Sequence, residues 1–340
     1  MKTFHFSFLG TGNAWPVTIS KKHPFYDPGN FSHLANASYQ IEKRINEQFS
    51  GKILIDAGHG IIPLLIRDDN RLPDALVITH SHADHIVSID WICHSYAKIY
   101  NYEKFLPIYC SGLCYQKIIR TFPNLQKYLD FRELIPGKAM EIEEMSEVSL
   151  TAYPVFHGME APGASMLRFD IENEKKLLLT GDVLTPMLRK KDYHDLQSVP
   201  FIIADANNRF PYPRSNHWSV VSNGPEDKDQ PERLRSYRND LNLSAMLSQH
   251  LGNSLDPGYY KYFDEWLSGA DPEVFHFSIS DFCKVIKPEK VFPVHYSGGE
   301  DEKYYQSPRM SRRDLQSWLN MQETSFFEYI LASPGDGFNL

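Results

Sequence analysis

Thr79-His80-Ser81-His82-Ala83-Asp84-His85 follows the apolar run Ala75-Leu76-Val77-Ile78. That run is short and unbroken, and Pro73 stands just before it, the pattern of a buried strand. Three histidines and one aspartate then fall within residues 80–85. Imidazole suits zinc and its neighbours, and carboxylate adds hard oxygen ligands. On an extended or turning backbone His80 and His82 project to the same side. Asp84 and His85 can then face a second point nearby, so one short loop can serve two adjacent metal ions. Packing alone would leave these groups buried without partners, which is costly.

Three further stretches place a ligand-type residue after a strand. They are Val155-Phe156-His157-Gly158, Leu178-Leu179-Thr180-Gly181-Asp182 and Val291-Phe292-Pro293-Val294-His295. Each is a weak signal alone, since a histidine at a strand end is ordinarily a satisfied polar residue. Their occurrence in this order behind the 80–85 cluster is what gives them weight.

Outward from these points, Phe4, Phe6 and Phe8 alternate with polar residues and predict a first strand over 4–9. Gly10-Thr11-Gly12 makes a tight turn, and further strands are expected at 37–41 and 52–55. Residues 17–36 read as a long surface loop, rich in Pro, Gly, Asn, Ser and aromatics. Helical spacing covers 86–100, and strands are expected at 148–156, 165–171, 176–180 and 201–204. The polar, charge-rich stretch at about 222–275 reads as an insertion with a helix over 241–251. The pattern resumes with a helix at 280–286, a strand at 290–294, a helix at 314–320 and a closing strand at 325–331. Strands and helices mixed in two successive sets predict a layered α/β fold.

The 340 residues are 42% hydrophobic and 23% charged, which excludes a disordered or collagen-like chain. The net charge of −8 gives no bulk attraction to nucleic acid. Four cysteines in this length do not suggest a disulfide scaffold. Cys110 and Cys114 lack Cys-x-x-Cys spacing and read as buried thiols. Met1-Lys2 leads straight into the first strand rather than into a signal peptide, and no apolar stretch is long enough to span a membrane. Cytoplasm is the default location.

The His-x-His-x-Asp-His motif at 80–85, with His157, Asp182, His295 and the Asp56 of Ile55-Asp56-Ala57-Gly58, resembles the metallo-β-lactamase-fold hydrolase superfamily. The resemblance runs from residue 3 to about 300, without the insertion. It implies an αββα sandwich of two mixed sheets flanked by helices, with two metals at one edge between the sheets. It also implies that residues 1–340 form one hydrolase domain carrying the insertion at about 222–275. By the resemblance, His80, His82 and His157 bind one metal, Asp84, His85 and His295 bind the other, and Asp182 bridges them. Asp56 would orient the motif loop from behind. Two divalent ions are expected, zinc first, with manganese or iron as alternatives.

Phe8-Leu9-Gly10-Thr11-Gly12-Asn13-Ala14-Trp15-Pro16 is similar to the opening of the phosphodiesterase branch of that superfamily. That branch holds the transfer-RNA maturation endonucleases and cyclic-phosphate phosphodiesterases. Ala204-Asp205-Ala206 and Ser215-Asn216-His217-Trp218-Ser219 are similar to it too. The resemblance makes His217 the candidate general acid or charge stabiliser at the scissile phosphate, and Asp84 a catalytic candidate as well as a ligand. The enlarged 17–36 loop and the lack of a Gly-Pro-rich arm depart from the transfer-RNA endonucleases. A small phosphodiester, a cyclic nucleotide or a ribose cyclic phosphate, is therefore the expected substrate, with structured RNA disfavoured. A transfer-RNA 3'-end endonuclease, a thioester or lactam hydrolase and an iron-dependent oxidoreductase on the same fold are the alternatives. The loop and the insertion are candidates for a lid or a homodimer contact. Arg209, Tyr212 and Arg214, just before His217, could contact a phosphate or a base, or form a solvated loop.

Overall fold

In the computed structural model the alternating phenylalanines become β1 (Lys2–Gly10), and Phe4, Phe6 and Phe8 all point into the interior. The structure describes residues 1–14, 35–158, 160–183, 185–206, 257–269, 279–296, 316–317, 319–320 and 327–340. β2 (Ser38–Ile45) and β3 (Gln48–Ile55) pair antiparallel beside β1. After α1 (Ile61–Asp68) the pairing turns parallel through β4 (Ala75–Val77). Two helices follow, α2 (Ala83–Ile86) and α3 (Ile89–Ile99), then β5 (Leu106–Cys110), α4 (Gly112–Thr121) and β6 (Leu129–Glu133). β5 and β6 extend the parallel part.

The second sheet starts with β7 (Ala139–Glu141), β8 (Val148–Phe156), β9 (Ser165–Ile171) and β10 (Glu174–Leu179), an antiparallel meander. β11 (Thr185–Pro186) pairs with β8, and α5 (Lys190–Leu196) leads to β12 (Phe201–Asp205), parallel to β10. α6 (Pro257–Leu267) and α7 (Ile279–Ile286) precede β13 (Lys290–Val294). β14 (Glu328–Tyr329) extends this sheet, whereas β15 (Gly337–Asn339) crosses back to β1. The orders are β15-β1-β2-β3-β4-β5-β6 and β11-β8-β9-β10-β12-β13-β14, with β7 beside β8.

The layers follow from strand periodicity. Ile53 and Ile55 face the space between the sheets with Phe169, Leu177 and Phe292, while Leu54 faces out. Leu54, Leu76 and Ile108 pack under Ile61, Leu65, Ile89 and Ile92 of α1 and α3. Leu178, Ile202 and Val291 pack under Leu196 of α5 and under Ile279, Phe282 and Ile286 of α7. Each sheet thus has one face on its partner and one under helices, the αββα sandwich. Lys52, on the outward side of β3, is fully buried, its ammonium 2.7 Å from Asp69 and 3.4 Å from Glu42. Burial of such a charge is tolerable because it is paired.

The structure departs from the expected elements in several places. The helix expected over 86–100 is α3, Ile89–Ile99, and the end of the motif expected as loop is the short α2, Ala83–Ile86. Of the closing strand expected over 325–331, the described residues 327–331 hold only Glu328–Tyr329 in a strand, and the first sheet is closed by Gly337–Asn339. Phe338 stacks on Phe292 with ring centroids 4.9 Å apart, so packing rather than length holds that edge. The helix expected at 241–251 and nearly all of the 17–36 loop lie outside the described residues. Among the described residues no helix is long and apolar enough to cross a membrane.

Candidate metal centre

The site lies where strands of both sheets end. β3 delivers Asp56, β4 the 80–85 loop, β8 His157, β10 Asp182, β12 Asp205 and β13 His295. Carboxyl ends of strands are the usual place for ligands in such sheets. Two groups of ligand atoms form there, His80/His82/His157 and Asp84/His85/Asp182/His295, the atoms of each within 4.8 Å of one another.

Asp182 joins the two groups. Its carboxylate is 3.4 Å from His157 Nε2 and 3.8 Å from His80 Nε2 on one side. On the other it is 3.2 Å from His295 Nε2 and 3.6 Å from His85 Nε2. Asp84 Oδ2 lies 3.4 Å from His295 Nε2 and 3.5 Å from His85 Nε2. His157 Nε2 is 3.1 Å from His82 Nδ1. Atoms sharing one tetrahedral zinc at about 2.0–2.1 Å sit roughly 3.4 Å apart, so this spacing fits common ligation. His80 Nε2 is buried and makes no hydrogen bond, although it points into the cluster. A buried imidazole nitrogen in that state costs stability unless a cation takes its lone pair. The residues present therefore fit a pair of divalent ions.

Electrostatics agrees. Burial holds His80 well below the usual imidazole range, with His85, His157 and His82 adding repulsion. Burial also opposes charge on His85, yet Asp84, Asp182 and Asp56 outweigh it and hold that imidazole well above its usual range. At His295 burial is likewise overridden, chiefly by Asp182 and Asp205, and the ring is pushed up to about 10. Burial would raise Asp84, but His85 and His295 keep it well below the carboxylate range. Positive charge is what this pocket lacks, and protons supply it in the metal-free chain.

That gives a pH prediction. Both imidazoles titrate above their unfolded value of about 6.5. In the metal-free chain their charge therefore stabilises the fold fully below about pH 6.5. The contribution is lost as pH rises toward about 10, where His295 gives up its proton. Ligation needs both rings neutral, so loading at pH 7 is expected to release about two protons and to tighten as pH rises. Calorimetric metal titrations in buffers of different ionisation enthalpy read this number. Heats independent of the buffer would contradict it.

The supports behind the ligands are explicit. Asp56 accepts from Thr79 N, Thr79 Oγ1 and His85 Nδ1, each at 2.8 Å. This turns His85 Nε2 toward the cluster and fixes the start of the motif loop. Asp56 (φ 55) and His295 (φ 63) hold left-handed backbone conformations, a strain of the kind stored at functional sites. Where a tight turn was expected at 10–12, the chain runs on in extended pairing, Gly12 bridging Asn36 and Tyr296, and His295 N donates to Thr11 O at 2.8 Å, so this segment holds the last ligand. Gly58 is needed for close approach, because a Cβ there would stand 1.9 Å from the Asp84 carbonyl oxygen.

Every residue expected to hold metal is thus brought together. His217 lies outside the described residues, as do Arg209, Tyr212 and Arg214. His94 pairs with Asp90 at 3.5 Å and lies on the exposed side of α3, and His59 is exposed. Cys110 and Cys114 are buried free thiols. The sequence reading gave Asp205 no role, yet its Oδ1 is 3.4 Å from His295 Nδ1. The signal was an acid closing an apolar strand, the pattern that singled out Asp182.

With the geometry in hand, comparison with known proteins adds the following. The model of the family described as beta-lactamase superfamily domain matches residues 52–221. No curated protein matches the chain in sequence. Among solved structures, a diphosphatase from the PhnP family superposes with a TM-score of 0.58 at 14% identity, over 98% of this chain and 97% of that one. Human tRNase Z, short form, gives 0.52 at 13% identity over 98% of each chain. Zn2+-bound PqqB from Methylobacterium extorquens gives 0.52 at 10%, over 99% of this chain and 100% of that one. At these identities the likeness is one of fold.

Proposed function

The chain belongs to the beta-lactamase superfamily, and from that premise we propose that it is a metal-dependent hydrolase of small phosphodiesters. One observation carries the reading: Asp182 stands between two separate donor groups, each built for a divalent ion. The ligands mix imidazole and carboxylate, which suits zinc and also admits manganese or iron. Two of the similar solved structures are named as a diphosphatase and a tRNase, and a third as zinc-bound, which supports phosphorus-ester chemistry on this fold. The net charge of −8 favours a small substrate over a structured RNA.

When bound, a pair of such ions lowers the pKa of water toward neutrality and offsets charge on phosphate oxygens. The chain's own groups orient that chemistry. His85 is aimed by Asp56, and His295 by Asp205. Asp84 is ionised and can accept a hydrogen bond from an attacking water. His217, on the 207–250 stretch that follows β12, is the candidate donor to the leaving oxygen.

The test is a substrate panel for the zinc-loaded chain: bis(p-nitrophenyl) phosphate, cyclic mononucleotides, a ribose cyclic phosphate, precursor transfer RNA and a thioester. Turnover of the small phosphodiesters is expected, with His217→Ala slowing it about 10²-fold while metal content is unchanged. Turnover confined to the thioester or to precursor transfer RNA would overturn the reading.

A further inference from the structure

His157 sits at the head of a loop, residues 157–164, that bends on Gly158 (φ 90) and Gly163 (φ 73). Its far end is fixed by main-chain bonds from Val155 N to Ala164 O and from Ser165 N to Thr79 O. Between those ends, a side chain from the other sheet reaches over. Ser111, the residue capping α4, donates from Oγ to Gly163 O at 2.6 Å and accepts from Cys114 N at 3.3 Å. Ser111 is 5% exposed, so water does not compete for that bond. The fit is close: a Cβ on Gly163 would stand 2.1 Å from Ser111 Oγ and 2.9 Å from Cys114 N.

The same helix end is held from outside the sandwich. Gly112 N donates to the Tyr259 hydroxyl at 3.2 Å, and that hydroxyl donates to Leu134 O at 3.2 Å. Tyr259 belongs to α6, which falls inside the stretch expected to be an insertion, and it is 2% exposed. α6 is clamped onto the second half as well. Tyr262 OH bonds Met187 O and Asp192 Oδ2, the Arg189 guanidinium lies 3.9 Å from the Tyr262 ring centroid, and Arg189 bonds Glu265. A continuous path therefore leads from α6 through Gly112 and Ser111 to the loop of one metal ligand.

We infer that Ser111 is a positioning residue for His157, and that Tyr259 braces it, so that the helix 257–267 sets the affinity of the His80/His82/His157 group alone. Metal ligation tolerates misplacement of only about 0.2 Å. The loop has bonds of its own, from Ser165 Oγ to Gly163 O at 3.2 Å and from Ala161 N to Gly158 O at 3.4 Å, and the shorter Ser111 bond, at 2.6 Å, adds the hold from the other sheet. Asp84, His85 and His295 come from chain segments other than 157–164. Loss of the hydroxyl should therefore weaken one site and spare the other. The inference rests on the metal-binding reading above, and the experiment separates the two.

The test uses the full chain and zinc against a chromogenic chelator, resolving two successive affinities. Ser111→Ala is expected to weaken one site by 10–100-fold, on the order found for residues that orient ligands, and to leave the other within about twofold. Ser111→Thr, which keeps the hydroxyl, restores it, and Tyr259→Phe weakens the same site by a smaller factor. On a His157→Ala background, Ser111→Ala has no further effect. Equal weakening of both sites, no weakening of either, or an additive effect on that background overturns the inference while two bound ions in the native chain leave the metal reading standing. A native chain that takes up no zinc overturns both.

Discussion

Asp182→Asn is expected to reduce zinc uptake from two ions to at most one and to lower phosphodiester hydrolysis by about 10³-fold or more, some 4 kcal/mol of transition-state stabilisation. The reason is position. Asp182 is 5% exposed and is the carboxylate within reach of His80, His157, His85 and His295 together. Asparagine keeps the shape but removes the charge and gives the site a donor where an acceptor is needed. Two cations held close together repel, and a shared anion offsets that repulsion. The fold itself should hardly change, since the substitution is isosteric. Zinc counting and initial rates on bis(p-nitrophenyl) phosphate check both parts. A variant that retains two ions and loses less than tenfold in rate would remove Asp182 from the centre.

The second large effect is expected at a residue that touches no metal. Asp56 is 1% exposed and receives Thr79 N, Thr79 Oγ1 and His85 Nδ1. Asp56→Ala leaves these buried donors without an acceptor, at about 1–3 kcal/mol for each. Its left-handed backbone (φ 55) also suits alanine less well than aspartate. The variant should melt several degrees lower in the presence of zinc and bind the ion at His85 about 10–100-fold more weakly. Thermal melts with and without zinc, together with chelator competition, measure this. An unchanged melting temperature and unchanged affinity would contradict the role assigned to Asp56.

Much of the site was legible in the residues because metal chemistry narrows them to imidazole and carboxylate. Three histidines and an aspartate behind one apolar strand have no economical packing explanation, and His157, Asp182 and His295 repeat the strand-end pattern. The sandwich was legible where alternation is clean, as in Phe4, Phe6 and Phe8. It was illegible where burial on both faces erases alternation, as in Leu106–Cys110, whose residues are all buried. Gly337–Asn339 is assigned no element from its sequence, being only three residues long and following Pro334 and Gly335. Its pairing with β1 is a contact across almost the whole chain, which no local pattern encodes. Ser111 and Tyr259 escaped notice for the same reason: a capping serine and a core tyrosine look alike everywhere in sequence, and only the packing of α4 against the 157–164 loop and α6 distinguishes them.

Elemental analysis of the purified 340-residue chain, paired with chelator dialysis and zinc re-addition, bears most directly on the whole picture. Two divalent ions per chain are predicted, with phosphodiester hydrolysis disappearing as they are stripped and returning as they are restored. A chain that holds no divalent ion, or that hydrolyses phosphodiesters equally well after stripping, would contradict it.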